Sequence, residues 1–567
     1  MRAACVLAFC FAPLLVSAQQ APLITPRDLR PETPVKPPMN LPQPASAAIP
    51  SNAAVLFVRL GDVAVKGGFP EFAAGTEALL SPLRAQRVSV ERLYKLAESI
   101  EMLYREAGFA LVRVLLPPQS LNDGDTLQLI VLDGFIERVD ASAIDKRSRS
   151  YVLAVMQTVV GQRRLSSDAL ERVLTLAGRG AGLAMRSTMG AGVEPGGVVL
   201  TLDGTFTPGS VTISADNRLS KSLGPWETTL QVSLNEPFGE GVQIYSYVSG
   251  GKDWQTAFGS DARRRVLGGG ATIPIGASGL SINPEFTWSD SQPLPQPGAP
   301  LSQSKFERYT LRFIYPLILN RREELTFTGT LDASRQMDTL PQFQSVAADG
   351  SILGPFILDQ DRLRVARMGA IWNQTLANSG SISVGATVST GVSGLGARTK
   401  KDVTDSGIAM SRVDANPVFV KFEGNVSYEQ QLPLRVESKL LLRVQKALNG
   451  ALPASELFSL DGEDGLSTFT TGSISDDGGW LLRQEFTHSM TWEAGTVVNF
   501  VPYVFGAAGK TSNQLASPAV RGINKAYGFG LRMQWQNINF SMEYGRRESA
   551  LSALNDNQLF AKGQVQF

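Results

Sequence analysis

The last third of the chain alternates apolar and polar residues with a period of two. In the stretch 526–535, every second residue from Tyr527 to Trp535 is apolar or aromatic, while Arg532 and Gln534 lie between them. The same alternation continues through 538–544 and through 559–567. Segments of about ten residues with this pattern are typical of membrane β-barrel strands, which have one face toward lipid and one toward a polar lumen. The last residue, Phe567, is an aromatic residue at the predicted barrel rim.

Sixteen strand candidates follow residue 206. They cover 207–216, 224–235, 240–250, 263–274, 278–290, 304–316, 323–336, 360–375, 379–391, 413–429, 433–447, 479–489, 495–508, 523–535, 537–546 and 557–567. Tight turns alternate with long connections, the longest of which is 448–478. Short periplasmic turns and long surface loops, with an even strand number, place both barrel ends in the periplasm. The sequence therefore predicts a transmembrane β-barrel of 16 antiparallel strands over 206–567.

Two tandem segments before the barrel share one order of elements: strand, helix, helix, strand, strand. In the first, 53–134, apolar residues recur at helical spacing between Ser89, a predicted N-cap, and Gly108. The second, 135–205, repeats the order, with a capped helix predicted to begin at Ser166 or Ser167. Two copies of one small α/β module indicate a receptor or chaperoning array rather than a single enzyme domain.

The N-terminus has the features of a secretory signal peptide. Arg2 precedes an apolar run, and the small residues before Ala18 predict cleavage after that residue, so 1–18 is assigned as the signal. Nine prolines in 19–52 predict an extended linker that cannot hold a long helix. Cys5 and Cys10 both leave with the signal, so the mature chain has no thiolate metal site. We expect no cofactor and no metal.

Composition narrows the functional classes. The formal net charge of +1 argues against nucleic-acid binding. The single histidine, His488, lies at a predicted strand end on the periplasmic side, where it is badly placed for a catalytic triad. Beyond the signal, no apolar run is long enough for a transmembrane helix.

A longer string in the first module carries a family resemblance. It consists of Tyr104, Gly108-Phe109, Leu116-Pro117-Pro118-Gln119, Leu121, Asp123-Gly124, Leu127, Val131, Gly134 and Ile136. This string resembles the first POTRA (polypeptide-transport-associated) domain of two-partner secretion transporters, the haemolysin and haemagglutinin secretion/activation family. A second stretch, from Gly161 to Val199, fits the second POTRA domain, and the barrel entry at 235–239 is a weaker match. The resemblance implies POTRA domains at 53–134 and 135–205, with an exposed strand edge that takes up a client by strand addition.

The resemblance also suggests candidate sites. Client contact in the first module is assigned to Tyr104, Phe109, Pro117, Gln119, Asp123 and Gly124. In the family, a surface loop with a Val-Arg-Gly-aromatic motif folds into the lumen and pairs its arginine with an aspartate of a wall-strand Phe-x-Asp-x-Gly motif. The matching positions here are Phe458, Gly462, Ser467 and Phe469 in the loop, and Phe505, Ala507 and Gly509 on the wall.

Both charged partners of that pair are replaced. Ser467 stands at the arginine position and Ala507 at the aspartate position. The loss of both avoids a buried charge without a partner, which would cost several kcal/mol. The lumen charges Arg483 and Glu485 are predicted to anchor the loop instead. We expect them to bind its backbone and the carboxylates of Asp461, Glu463 or Asp464.

Three functions remain open at this point. The leading one is an outer-membrane pore that captures an unfolded exoprotein in the periplasm and exports it through the barrel. The alternative is an insertase for outer-membrane barrels, but such factors usually carry more modules than two. An enzyme is disfavoured by the position of His488, and a passive porin would not explain the modules. The expected partners are a large exoprotein with an N-terminal secretion domain, outer-membrane lipid with lipopolysaccharide, and the barrel assembly machinery, with no nucleic acid.

Overall fold

The computed structural model describes residues 49–252, 259, 262–295, 300–346, 351–412, 414–493, 495–514, 522–550 and 555–567. These residues comprise the two tandem modules, the barrel and the last residues of the linker. The signal peptide and most of the proline-rich linker lie outside the described residues, and so does the expectation that no long helix forms there.

The first module contains the predicted strand, helix, helix, strand, strand and, in addition, two short strands, Phe57–Arg59 and Arg87–Ser89, that pair with each other. Its strands and helices are Phe57–Arg59, Asp62–Gly67, Ala73–Leu80, Arg87–Ser89, Val90–Glu106, Arg113–Leu115 and Thr126–Leu132. Ser89 caps the long helix, because its side chain accepts from the Arg92 amide at 3.3 Å. The alternation of the sequence predicts a strand over 109–116 in this module, but only Arg113–Leu115 pairs. Pro117 and Pro118 then lack the amides that would extend the ladder.

The second module repeats the first. Its elements are Phe135–Ala143, Lys146–Met156, Ser167–Ala177, Leu183–Ala191 and Gly197–Phe206. Gly197–Phe206 lies in the centre of the sheet, parallel to Phe135–Ala143 and antiparallel to Leu183–Ala191. Ser166 caps the second helix at the Ala169 amide, as predicted. None of the helices in the described part of the chain is long and apolar enough to cross a membrane.

The remaining strands form one closed antiparallel barrel. In chain order they are β1 Gly209–Asp216, β2 Trp226–Asn235, β3 Gln243–Lys252, β4 Arg264–Ile275, β5 Leu280–Ser291, β6 Gln303–Leu319, β7 Glu323–Val346, β8 Ile352–Thr375, β9 Gly380–Gly391, β10 Val420–Leu432, β11 Val436–Ala447, β12 Gly478–His488 continued by Met490–Glu493, β13 Val497–Ser512, β14 Asn524–Trp535, β15 Ile538–Glu548 and β16 Asn555–Gln566. Both parts of β12 pair with β13, so they form one strand with a break at Ser489. The predicted number of sixteen is confirmed.

The barrel closes between its first and last strands. β16 pairs with β1 from Lys562, opposite Asp216, to Gln566, opposite Thr212. The final residue extends this ladder, because Phe567 and Val211 exchange amide-to-carbonyl bonds of 2.8 and 3.1 Å. Phe567 is therefore part of the seam.

Two predicted loop boundaries are wrong. β7 and β8 continue as a paired hairpin into the region predicted as the loop 337–359. Above the bilayer both faces of a hairpin meet water, so alternation no longer shows where pairing ends. The strand predicted from 413 begins only at Val420, and the connection before it contains a helix, Lys400–Ser406, with a capping box of Thr399 and Asp402.

The second module packs against the periplasmic turns of the barrel. The Arg172 guanidinium donates to the carbonyls of Leu317 and Ser278 at 3.0 and 3.1 Å. Arg179 forms an ion pair of 2.7 Å with Glu324. The core of the second module also contains Leu319, a barrel residue that is 3% exposed. The barrel end thus completes the core of the module, whereas the core of the first module is its own.

Candidate functional site in the barrel lumen

The connection from β11 to β12, residues 448–477, folds into the lumen; we call it the lumen loop. Two short strands, Phe458–Ser459 and Ser475–Asp476, pair at its base. Gly462 makes the tight turn at a φ of 107°, which favours glycine. The Asp461 carboxylate accepts from the amides of Gly472 and Ile474 at 3.0 and 2.9 Å. These bonds make the loop a compact, internally ordered unit.

An apolar cluster attaches the lumen loop to one side of the barrel. Its members, all at most 8% exposed, are Phe458, Leu460, Leu466, Phe469 and Ile474 of the loop and Leu481, Tyr503, Phe505, Ala507 and Ala526 of the wall. Gly509 is part of the same contact, because a Cβ there would lie 3.1 Å from the Leu460 side chain. The loop and wall positions of the family motif are therefore packed together.

Two arginines from outside the loop hold Ser467. Arg483 on β12 donates to the Ser467 hydroxyl at 2.7 Å and to the Gly465 carbonyl at 3.1 Å. Arg218, which follows β1, donates to the Ser467 carbonyl at 2.7 Å. Ala507 lies directly opposite Arg483 in the β12–β13 register. The structure thus brings Ser467, Arg483 and Ala507 to one place, with the cation on the wall and its acceptor in the loop.

Two wall carboxylates balance these arginines. Arg483 also bonds Glu485 at 3.0 Å and Glu543 at 3.5 Å, while Arg532 approaches Glu485 at 2.5 Å. The Tyr503 hydroxyl donates to Glu543 at 3.0 Å. The expected anchoring role of Glu485 is wrong, because its contacts are to wall arginines. Two of the expected carboxylate partners have other contacts: Asp461 accepts from amides of its own loop, and Glu463 pairs with Lys562 on β16 at 3.0 Å.

A second anchor lies near the start of the lumen loop. The Glu456 carboxylate, in a loop residue that is 5% exposed, pairs with Arg367 of β8 at 2.6 Å and with Lys421 of β10 at 3.1 Å. At the end of the loop, Asp477 accepts from the Leu452 amide at 2.7 Å and from Arg412 of the preceding surface loop. The loop is therefore fastened at its base as well as at its tip.

The wall from β3 to β6 carries a further polar ladder. The Tyr245 hydroxyl donates to Glu285 at 2.8 Å, and Arg312 donates to Glu285 at 2.9 Å and to Asn283 at 2.7 Å. Tyr247 and Thr287 join their hydroxyls at 2.9 Å. Asn283 also donates to the Tyr245 hydroxyl at 3.1 Å, so these strands are cross-linked by their own lumen side chains. This side of the lumen therefore has a polar lining supplied by the wall itself.

Sequence reasoning missed several members of this site. Arg218 lies in a connection and 249 positions from its partner Ser467, so no local pattern reveals it. Glu543 and Arg532 lie at lumen-facing positions of strands that the alternation predicts correctly. Their charge at an inward-facing position is the feature of the sequence that could have identified them.

The aromatic candidates of the first module lie in its core. Tyr104 is 2% exposed, and its hydroxyl accepts from the Phe69 amide at 3.0 Å. Phe109 packs edge-on against Phe69, with ring centroids 5.0 Å apart. Direct client contact by these two side chains stays a prediction.

The polar candidates of the first module complete its backbone bonding. The Gln119 side-chain amide donates to the Gln128 carbonyl and accepts from the Gln128 amide, both at 2.9 Å. Pro117, two residues before it, has no backbone amide for such a bond. Asp123 accepts from the Arg59 amide at 2.7 Å, and Gly124 donates to the Arg59 carbonyl at 2.8 Å. These residues hold the sheet and its turn together, and their contact with a client also stays a prediction.

Two known family profiles match the sequence of this chain. The profile of the family described as haemolysin secretion/activation protein ShlB/FhaC/HecB matches residues 198–533, and that of the ShlB-type POTRA domain matches residues 68–134. No curated protein gives a significant match to the sequence.

Two solved structures share the fold over nearly the whole chain. CdiB from Escherichia coli is 19% identical with a TM-score of 0.72, and the match covers 93% of this chain and 94% of that one. CdiB from Acinetobacter baumannii is 14% identical with a TM-score of 0.63, covering 97% and 95%. The family match spans more than half of the chain, and the barrel and its tandem modules agree with it. The chain therefore belongs to the haemolysin secretion/activation family of two-partner secretion transporters, with its barrel in the outer membrane and its POTRA modules in the periplasm.

Proposed function

We propose that the chain exports an unfolded exoprotein along the β2–β7 side of the lumen, after the lumen loop has shifted. Membership of the family makes the protein an outer-membrane translocation pore with a secreted exoprotein as its partner. The observation that supports the route is the asymmetry of the lumen. The loop is fastened through Ser467 to β12 and through Glu456 to β8 and β10, whereas the polar ladder around Glu285 lies on β3, β5 and β6.

The loop contacts suit a movable plug. Charged hydrogen bonds of this kind each contribute about 1.5–3 kcal/mol, so a few of them hold the loop without making its displacement prohibitive. Folding of the client outside the cell would supply the driving force. The client would enter with its N-terminal secretion domain, which the periplasmic modules bind first.

We propose that the client adds a strand to the second module at Leu183–Ala191. This nine-residue strand is the edge of its sheet, and its residues alternate between buried and exposed along Leu183–Arg186. In the first module the corresponding edge, Arg113–Leu115, has only three residues and runs into Pro117. A long edge with free backbone groups is the better template for strand addition.

Proline substitution in the full-length transporter tests this edge. Adjacent residues of a strand direct their amides to opposite sides. Of the two variants Arg186→Pro and Ser187→Pro, one therefore removes an amide that points outward from the edge, and the other removes an amide that bonds the neighbouring strand. Thermal unfolding identifies the former as the variant that keeps its stability. That variant should lose secretion and binding of the exoprotein's N-terminal domain. Intact secretion with a folded module would refute strand addition at this edge.

We propose that the barrel assembly machinery inserts the chain, since its closing strand and Phe567 must pair with β1 to finish the barrel. We also propose that the chain has no catalytic activity of its own. His488 ends the first part of β12 opposite Val436, at the periplasmic rim and away from the cluster around Ser467.

A further inference from the structure

Two arginines lie side by side on the outer face of the barrel near its extracellular end. Arg335 on β7 and Arg362 on β8 are direct partners in the antiparallel register, and both are exposed. Their sequence neighbours Gln336 and Asp361 are 1% and 2% exposed and face the lumen. Because strand side chains alternate between faces, the two arginines point outward.

This arrangement of like charges lacks a counter-ion. Residues directly opposite in an antiparallel pair have Cβ atoms about 4.5–5.5 Å apart, and like charges at that distance destabilise the pair. Within the described part of the chain, neither guanidinium group has a hydrogen-bond acceptor or a carboxylate at ion-pair distance. Glu307 lies opposite Arg335 in the register but forms no ion pair with it.

A third cation enlarges the patch. Lys305 is exposed on the outer face of β6, two residues beyond Glu307 and therefore diagonal to Arg335. The acid opposite Lys305, Asp290, accepts from the Gln303 amide at 3.0 and 3.2 Å. Among the described residues of this outer face, Glu307 is the carboxylate nearest the three cations in the register, and one carboxylate cannot neutralise three cations, so the patch favours an anion.

The height of the patch matches a lipid headgroup. Below it, at the next outward position toward the periplasm, Phe286 and Tyr309 stack with centroids 5.2 Å apart, as in an interfacial aromatic girdle. Two residues of strand place the arginines about 7 Å farther out. Phe286, Tyr309, Leu311 and Leu331 line an apolar groove of about 720 Å³ just beneath the patch.

We propose that Arg335 and Arg362, assisted by Lys305, bind the phosphate groups of lipid A in the outer leaflet. A guanidinium fork matches a phosphate with two parallel hydrogen bonds, and a phosphate between two arginines removes their repulsion. The groove beneath accepts acyl chains. Lipid A is the phosphorylated lipid of that leaflet, and its headgroup and chains fit the cations and the groove together. This site is separate from the lumen and from export.

Lipid binding to the purified, delipidated transporter tests the site. The probes are bisphosphorylated lipid A, lipid A with both phosphates removed, and inorganic phosphate, each followed by native mass spectrometry. The variant is Arg335→Gln with Arg362→Gln. The control is Arg92→Gln with Arg138→Gln, which removes two like charges from exposed positions of the periplasmic modules. Heat-modifiable migration confirms that every variant is a folded barrel.

The proposal requires that wild type and control bind bisphosphorylated lipid A about tenfold more tightly than the Arg335/Arg362 variant does, since two charge-assisted bonds are lost. The variant should then bind as wild type binds the dephosphorylated lipid. Equal affinity of variant and wild type would overturn the proposal, as would indifference of wild type to the phosphates. Inorganic phosphate binding as tightly as lipid A would overturn the lipid assignment.

Discussion

The guanidinium group of Arg483 donates to the hydroxyl of Ser467 at 2.7 Å, so a residue of the barrel wall holds the loop position where the family motif has an arginine. The cation thus lies on the barrel wall instead of in the loop, and Ala507, at the aspartate position of the motif, is directly opposite it in the strand register. This relationship explains how the lumen loop stays in place without the Arg–Asp pair.

Replacing Arg483 should loosen the lumen loop. Arg483→Met removes the bonds to Ser467 and Gly465 and leaves Glu485 and Glu543 with fewer partners, at a cost of about 3–5 kcal/mol for a broken buried pair. Hydrogen exchange of residues 460–474 should become faster, and channel conductance in planar bilayers should rise. The matched control is Arg308→Met, a lumen-facing arginine beside Glu285 on the other wall. The same acceleration in both variants would show that the effect is not specific to the anchor.

The two motif positions should be energetically coupled through Arg483. Ala507→Asp alone should be tolerated, because Arg483 stands opposite and pairs with the new carboxylate. This revises the sequence-based expectation of a lone buried charge. Ser467→Arg alone adds a cation beside Arg483 and Arg218 and should impair barrel stability. The double variant should recover part of that loss, with a coupling energy of about 1 kcal/mol or more in a double-mutant cycle. Additive effects would show that the positions do not interact.

The seam should depend on the backbone of Phe567 more than on its ring. Deleting the residue removes both bonds to Val211. Phe567→Ala keeps those bonds and removes only a lipid-facing aromatic ring that is 70% exposed. We therefore expect a lower yield of heat-modifiable barrel for the deletion than for Phe567→Ala. Equal yields would assign the role to the aromatic ring.

The junction between the second module and the barrel should respond to pH through Glu236. Burial raises the pKa of this carboxyl group above its ordinary value of 4.5, and the nearby charge of Asp145 raises it further. The Gly241 amide, which donates to Glu236 at 2.8 Å, and Arg147 oppose this shift but do not cancel it. A raised pKa means that the folded state holds the proton more tightly. The contribution to stability is full below pH 4.5 and is lost as the pH rises through the folded-state value.

Glu236→Gln removes that dependence. The variant should unfold at a higher temperature than wild type at neutral pH, and the difference should shrink as the pH falls toward about 4. A difference that grows in acid, or is constant, would contradict the buried, protonated carboxyl group. Asp140→Asn serves as the control, because the pKa of that exposed carboxyl is lowered by the Ser142 amide and its pH trend is opposite.

Some features of this structure can be predicted from the sequence, and others cannot. Alternation predicts each barrel strand within the bilayer, because lipid and lumen impose opposite polarity on its two faces. The caps Ser89 and Ser166 follow from local chemistry. The length of the β7–β8 hairpin cannot be predicted from alternation, since above the membrane both of its faces contact water. The role of Arg218 cannot be predicted either, because its contact with Ser467 depends on barrel closure, which brings distant parts of the chain together.

If the client passes through the lumen, it passes the inner face of β2. Gln231 and its neighbour Leu230 lie on opposite faces of that strand, opposite Tyr247 and Val248. A photo-crosslinking amino acid at each position, in cells with an exoprotein stalled by a folded C-terminal domain, compares lumen with lipid at one height. Crosslinks to the exoprotein are expected from position 231 and none from position 230. Crosslinks from neither position, or equally from both, would contradict passage through this lumen.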